Sequence, residues 1–289
     1  MTKSVSNTYF RRLSIGKGMS LHHSYTLSLL KDIPGRLANL FDRIHETEDW
    51  NESIDHTPRI GRCCRMKSTL DRIKGGLIVS CQALEDEPLY GSVHMAAMAR
   101  AALMSGAAGI RANSVEDISA IRAITDKPIV GINKHRDRDG QVFITPDFAD
   151  AKAVVEAGAT IVALDCTYYH HPEDKELETL IRQIKERLGV PVMADCSSYE
   201  EMIRAAKLGA DITAPTLVPG PHPDYDLLQQ AIENTDALVI GEGHYWHPKE
   251  VVRALQMGAH AVVVGSAITR PQLITARFTE AIQKAKEKS

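Results

Sequence analysis

Little in this sequence permits a disulfide framework. Its five cysteines are an odd number, stand at positions 63, 64, 81, 166 and 196, and include no CxxC pair. Reduced thiols in a cytoplasmic protein suit that usage better than cross-links. Long hydrophobic runs are also missing, since stretches such as AVVVG fall far short of the ~20 residues that span a bilayer. No basic cluster interleaved with aromatics is present, and the net charge is −3, so neither nucleic acid nor an anionic membrane is an expected partner. No GxGxxG follows a strand pattern, which removes the usual dinucleotide turn. No HExxH or other tight ligand spacing appears either. His170, His171, His222, His244 and His247 therefore read as loop-packing residues, and no metal is expected.

Acidic residues are missing from the start of the chain, where Lys3, Arg11, Arg12, Lys17 and Lys31 precede the first acid, Asp32. That balance suits a transit peptide or a surface appendage, and Met66 is an alternative start. Residues 1–65 are accordingly set apart as an N-terminal extension, and 66–289 as a catalytic domain.

What is present from Gly76 onward is an alternation of short β-branched runs with helical patterns. Strands are expected at 76–82, 108–113, 128–134, 160–166, 191–196, 211–216, 237–243 and 261–266. Each is apolar almost throughout, as parallel strands buried on both faces are. Between them, Leu177, Leu180, Ile181, Ile184 and Leu188 fall on one helical face. Thr145 before Pro146 reads as an N-cap, and Ser198 with Glu201 and Thr269 with Gln272 read as capping boxes. Gly106, Gly158, Gly209 and Gly258 recur roughly every 50 residues at helix ends, a repeat length that divides the chain into βαβα quarters. Eight such strands predict an α/β fold of the (β/α)8 TIM-barrel type rather than an open sheet.

In that architecture the chemistry sits at the C-terminal ends of the strands. Those ends are Gln82, Arg111 with Asn113, Lys134, Asp165, Asp195, Thr216, Glu242 and Gly265 with Ser266. The ring lacks the serine, histidine and acid set of a serine hydrolase. It holds an amine, a guanidinium and three carboxylates. Lys134 ends an apolar run in GINKHRDRDG, either as a solvated strand end or as an amine aimed into a site. Burial or a neighbouring cation such as Arg111 would make it a base, and a Glu242 of raised pKa would be an acid; neither needs a cofactor. The small residues Gly243, Gly265 and Ser266, just before a helix start, are phosphate candidates, although tight turns alone also call for glycine.

At these residues the sequence closely resembles the N-acetylmannosamine-6-phosphate 2-epimerases of sialic acid breakdown. GGLIVSCQ, GIRANSVEDI, GINK, ITP, MADCSS, GEG and GAHAVVVGSAITRP fall in the family's order from about Gly75 to the C terminus. The resemblance implies a metal-free (β/α)8 barrel, with Lys134 and Glu242 catalytic. It also implies substrate handling by Gln82, Arg111 and Asp195, and Asp165 is placed with them from its strand end. Three departures stand out. His135 follows the lysine where the family usually has arginine, APTLVPGPHP replaces GTTLSGYT, and His244 replaces the arginine after EG. Arg270 is the cation expected to compensate at the phosphate. The expected ligand is an amino-sugar phosphate, and a homodimer is allowed but not required. Two other readings stay open: a sugar-phosphate lyase or aldolase whose lysine forms a Schiff base, and a non-catalytic sugar-phosphate-binding barrel.

Overall fold

The structure is a computed structural model that describes residues 59–287, with side chains from Arg65 onward. The transit-peptide and alternative-start readings thus fall mostly on residues outside the described ones. The described chain opens with helix α1 (Arg59–Asp71), which straddles Met66, the expected start of the barrel.

Strands β1 (Leu77–Cys81), β2 (Gly109–Asn113) and β3 (Ile129–Ile132) are followed by a hairpin, β4 (Lys134–Arg136) and β5 (Val142–Ile144). Then come β6 (Ile161–Asp165), β7 (Val192–Asp195), β8 (Ile212–Ala214), β9 (Leu238–Gly241) and β10 (Ala261–Val264). Leaving out the hairpin, the remaining eight pair in parallel in chain order, and β10 closes on β1 through Leu77↔Val262 to Val79↔Val264. This is the expected (β/α)8 barrel.

Crossovers are made by α2 (Ser92–Met104), α3 (Val115–Arg122), α4 (Phe148–Glu156), α5 (Asp174–Gln183, extended by a wider turn to Leu188), α6 (Tyr199–Lys207), α7 (Tyr225–Asn234) and α8 (Pro248–Gln256). The short α9 (Ser266–Thr269) and the long α10 (Pro271–Lys286) follow β10. Among the described residues no helix is long and apolar enough to cross a membrane.

The core has two layers because strand side chains alternate. Ile78, Val130, Ile132, Ile161, Met193, Ile212, Ile240 and Val263 fill the barrel, closed below by Ile73 and Leu70. The alternate positions, among them Val79, Ile110, Val162, Leu164 and Val262, meet helix residues such as Met95, Ile118, Leu177 and Met202. Leu177, Leu180, Ile181 and Ile184 are buried on one face, as their spacing requires, with Leu188 packed beside them. Gly106, Gly158, Gly209 and Gly258 all take positive φ at helix ends, where a side chain would be strained.

Three local expectations are corrected. Thr145 does not cap a helix; it sits at φ 49° and its Oγ1 accepts from the Asn133 amide, while Asp147 caps α4 by accepting from Asp150. Ser198 does cap α6, but the Glu201 carboxylate turns to the amides of Ser197 and Tyr168 instead of completing the box. Thr269 ends α9 and donates to Ser80 O, and Gln272 reaches Glu87, so no box forms there.

Candidate active site

Alternation carries inward from each strand to its end. Counting by twos from the interior residues Ile78, Ile132, Met193, Ala214, Ile240 and Val263 reaches Gln82, Lys134, Asp195, Thr216, Glu242 and Gly265. The bottom of the barrel is therefore apolar and its upper end polar.

The structure brings Gln82, Arg111, Lys134, Glu242, Gly265, Ser266 and Arg270 to one cavity of about 360 Å³. A second cavity of about 310 Å³ adjoins it, shares Ser80, Thr216, Glu242, Gly265 and Ser266, and adds Gly243 and His244. Lys134 is not the last residue of a barrel strand as expected. β3 stops at Ile132, and Lys134 opens the β4–β5 hairpin opposite Ile144, its amide donating to Asn113 Oδ1 at 2.9 Å. The charged run that follows it is the hairpin's outer strand and turn.

Arg111 is the electrostatic centre and only 1% exposed. Its Nη1 lies 3.0 Å from Asp195 Oδ1 and 2.9 Å from Glu242 Oε2, and its Nη2 pairs with Asp195 Oδ2. Thr216 Oγ1 donates to Asp195 Oδ1 at 2.7 Å. The Asp195 carboxylate is thus spent on Arg111 and Thr216, so it backs the site and does not line the cavity. Such a pair needs these bonds, because an unpaired buried charge costs several kcal/mol.

These charges set the protonation of Lys134 and Glu242. Burial, then repulsion from Arg111 and also from Arg270, lowers the Lys134 pKa to about 8. Burial raises that of Glu242 to about 7, against the pull of Arg111. An amine near neutrality and a carboxyl that holds its proton near neutrality, on one cavity, are an acid–base pair suited to moving a proton beside a carbonyl.

Other candidates fall differently. Gln82 Nε2 donates to Ser80 Oγ at 2.8 Å. Arg270 lines the cavity with its Nε held 3.0 Å from Glu87 Oε1. His244, at φ 63°, contacts Val218 O through Nε2 at 2.8 Å and so faces the neighbouring loop. Asp165 is not brought to the Lys134 cavity; it lines an adjacent one with Thr167, Tyr169 and His170, and Thr167 and His170 occupy its carboxylate. Cys81, Cys166 and Cys196 are buried free thiols, their pKa values raised by burial. Among the described residues no group of three or more His, Cys, Asp or Glu is placed to hold a metal ion.

Sequence reasoning assigned no role to Ser80, Val142 or Ile144, all of which line the cavity. Ser80 was within reach, since it lies between the interior Ile78 and Gln82 at the same spacing of two.

Comparison with known proteins points to one family. Residues 95–284 match a family described as "Putative N-acetylmannosamine-6-phosphate epimerase". Two relatives carry the description "Putative N-acetylmannosamine-6-phosphate 2-epimerase". The one from Clostridioides difficile is 43% identical over 221 residues, 74% of this chain and 99% of that protein. The one from Caldanaerobacter subterraneus is 44% identical over 223 residues, 74% and 94% of the two chains. A solved structure of the N-acetylmannosamine-6-phosphate 2-epimerase from Clostridium perfringens superposes with a TM-score of 0.69 at 38% identity, covering 80% of this chain and all of that one.

Proposed function

The chain belongs to the N-acetylmannosamine-6-phosphate 2-epimerase family, and on that premise we propose that it inverts C2 of an N-acylated hexosamine 6-phosphate. The reaction interconverts N-acetylmannosamine 6-phosphate and N-acetylglucosamine 6-phosphate, as amino-sugar catabolism requires. The observation that carries the chemistry is the presence of Lys134 and Glu242 on one cavity with pKa values drawn together towards neutrality.

In the open-chain sugar the C1 carbonyl acidifies the C2 proton. Neutral Lys134 takes that proton; the C–H electron pair moves into the C1–C2 bond, and charge develops on O1. Protonated Glu242, held by Arg111, donates to O1 and quenches that charge. Return of a proton to the opposite face of C2, with the O1 proton going back to Glu242 as the carbonyl re-forms, gives the epimer. Neither step calls for a cofactor. Asp195 acts through Arg111, and Gln82 faces the sugar from β1. The phosphate belongs over Gly243, Gly265 and Ser266 at the ends of β9 and β10, where barrels commonly hold one, with Arg270 as its cation. A cytoplasmic location and a homodimer belong to the same reading; exposed Phe278 and Ile282 of α10 are apolar surface of the kind a second copy covers.

Epimerisation in D₂O tests the mechanism. Product formed by deprotonation carries deuterium at C2, and unlabelled product would exclude a C2 proton transfer with solvent. Borohydride with substrate should trap no adduct, since a base forms no imine.

A further inference from the structure

We propose that Asp165 and His170 form a strap that seats the β4–β5 hairpin against the barrel, making His170 a positioning residue for Lys134. This rests on Lys134 being the base. The hairpin stands outside the barrel sheet, and a two-stranded ribbon has little stability of its own. Yet it supplies Lys134, Val142 and Ile144 to the cavity wall. Something must fix it.

At its root, Asn133 and Thr145 exchange hydrogen bonds, and on one flank His135 Nε2 reaches Asp150 Oδ1 at 2.9 Å. The other flank meets His170. Its ring stacks on Phe143, 4.1 Å between centroids and 5° from parallel, and Phe143 is the neighbour of Ile144, which pairs with Lys134. His170 Nε2 lies 3.3 Å from Asp137 Oδ2 at the hairpin turn, and Nδ1 lies 2.8 Å from Asp165 Oδ2. Asp137 shapes that turn by accepting from the amides of Asp139 and Gln141. Asp165 ends β6, fully buried, and its other oxygen accepts from the Thr167 amide and hydroxyl.

Loop packing would be served by the ring stack alone. Two carboxylates from two elements, each aimed at a different ring nitrogen, define an orientation. Tyr169, edge-on to His170 and bonded to Asp139, and His171, edge-on to Phe143, complete the groups around the ring. The chain of contacts runs from β6 through Asp165 and His170 to the hairpin that carries Lys134. Asp165, expected to hold substrate, takes its place as the barrel end of this strap.

The test uses the full-length protein with His170→Ala, Asp137→Asn, their double variant and Lys134→Ala. A loosened hairpin misplaces the amine and lets water reach it, where Arg111, Asp195, Arg270 and Glu242 set its charge. His170→Ala should lower kcat by about 10- to 100-fold, the scale of a misplacement on the order of 1 Å, with KM changed far less. The limb of the kcat/KM profile that belongs to Lys134 should move to higher pH. The double variant should be no worse than His170→Ala alone, because both changes cut one chain of contacts. Should His170→Ala fail to fold, Asp137→Asn alone must lower kcat and move that limb. Unchanged kcat, or a loss with the limb unmoved, would overturn the strap. Turnover by Lys134→Ala would instead sink the base assignment, whereas an inactive Lys134→Ala beside a fully active His170→Ala sinks the strap alone.

Discussion

Arg111 Nη1 and Glu242 Oε2 stand 2.9 Å apart in the barrel's polar end, and the same guanidinium grips Asp195 behind them. The contact does two jobs. It aims the carboxyl, and its positive charge holds down the pKa of both Glu242 and Lys134 against and with burial respectively.

Arg111→Met should therefore be costly in two separable ways. Removing one partner of a buried pair leaves Asp195 unpaired, a loss of about 3–5 kcal/mol that calorimetry or denaturant titration would read. Without the cation both pKa values rise, so the whole pH–rate profile should move upward. Adding Asp195→Asn should recover part of the stability but none of the activity, since the orphaned charge is gone while the aim of Glu242 is not restored. Equal stability of the single and double variants would contradict the pairing.

Lys134→Met should abolish turnover, by at least about 10³-fold, and yet raise the melting temperature at pH 7. The sign follows from the lowered pKa of the lysine. The folded protein binds its proton less tightly than the unfolded chain, so holding the amine charged costs stability fully below pH about 8, and the cost fades as pH rises further. The gain in melting temperature should accordingly shrink in scans at alkaline pH. A variant that is less stable at pH 7 would mean that the amine is not desolvated.

Much of the site was legible because the barrel converts sequence position into place. Gln82, Arg111 and Glu242 could be read off at or beside barrel strand ends, and Lys134, two residues past the end of β3, reaches the same cavity from the hairpin. Local devices were less legible. KHRDRDGQVFI shows only three-residue strands, too short for a period of two to emerge above a charged run, so the hairpin was hidden. Thr145 before Pro146 looked like a cap, yet Asp147 lies beyond the proline and makes the cap instead. Asp165 had the right address and another task, because a strand end fixes where a carboxylate is, not that His170, five residues on, will take it.

The pH profile of kcat/KM should be a bell with limbs near pH 7 and 8. In the proposed mechanism the competent form has Lys134 neutral and Glu242 protonated, the reverse of the order in which their pKa values of about 8 and about 7 release protons. Both this form and its tautomer carry one proton between them, so the rate rises as the first proton leaves and falls as the second does. Glu242→Gln separates the two groups. Its amide cannot ionise, so the residual rate should climb through pH about 8 with Lys134 alone and then stay level, with no descending limb. A Glu242→Gln profile that kept its alkaline fall would show that a group other than Glu242 must hold a proton for the reaction.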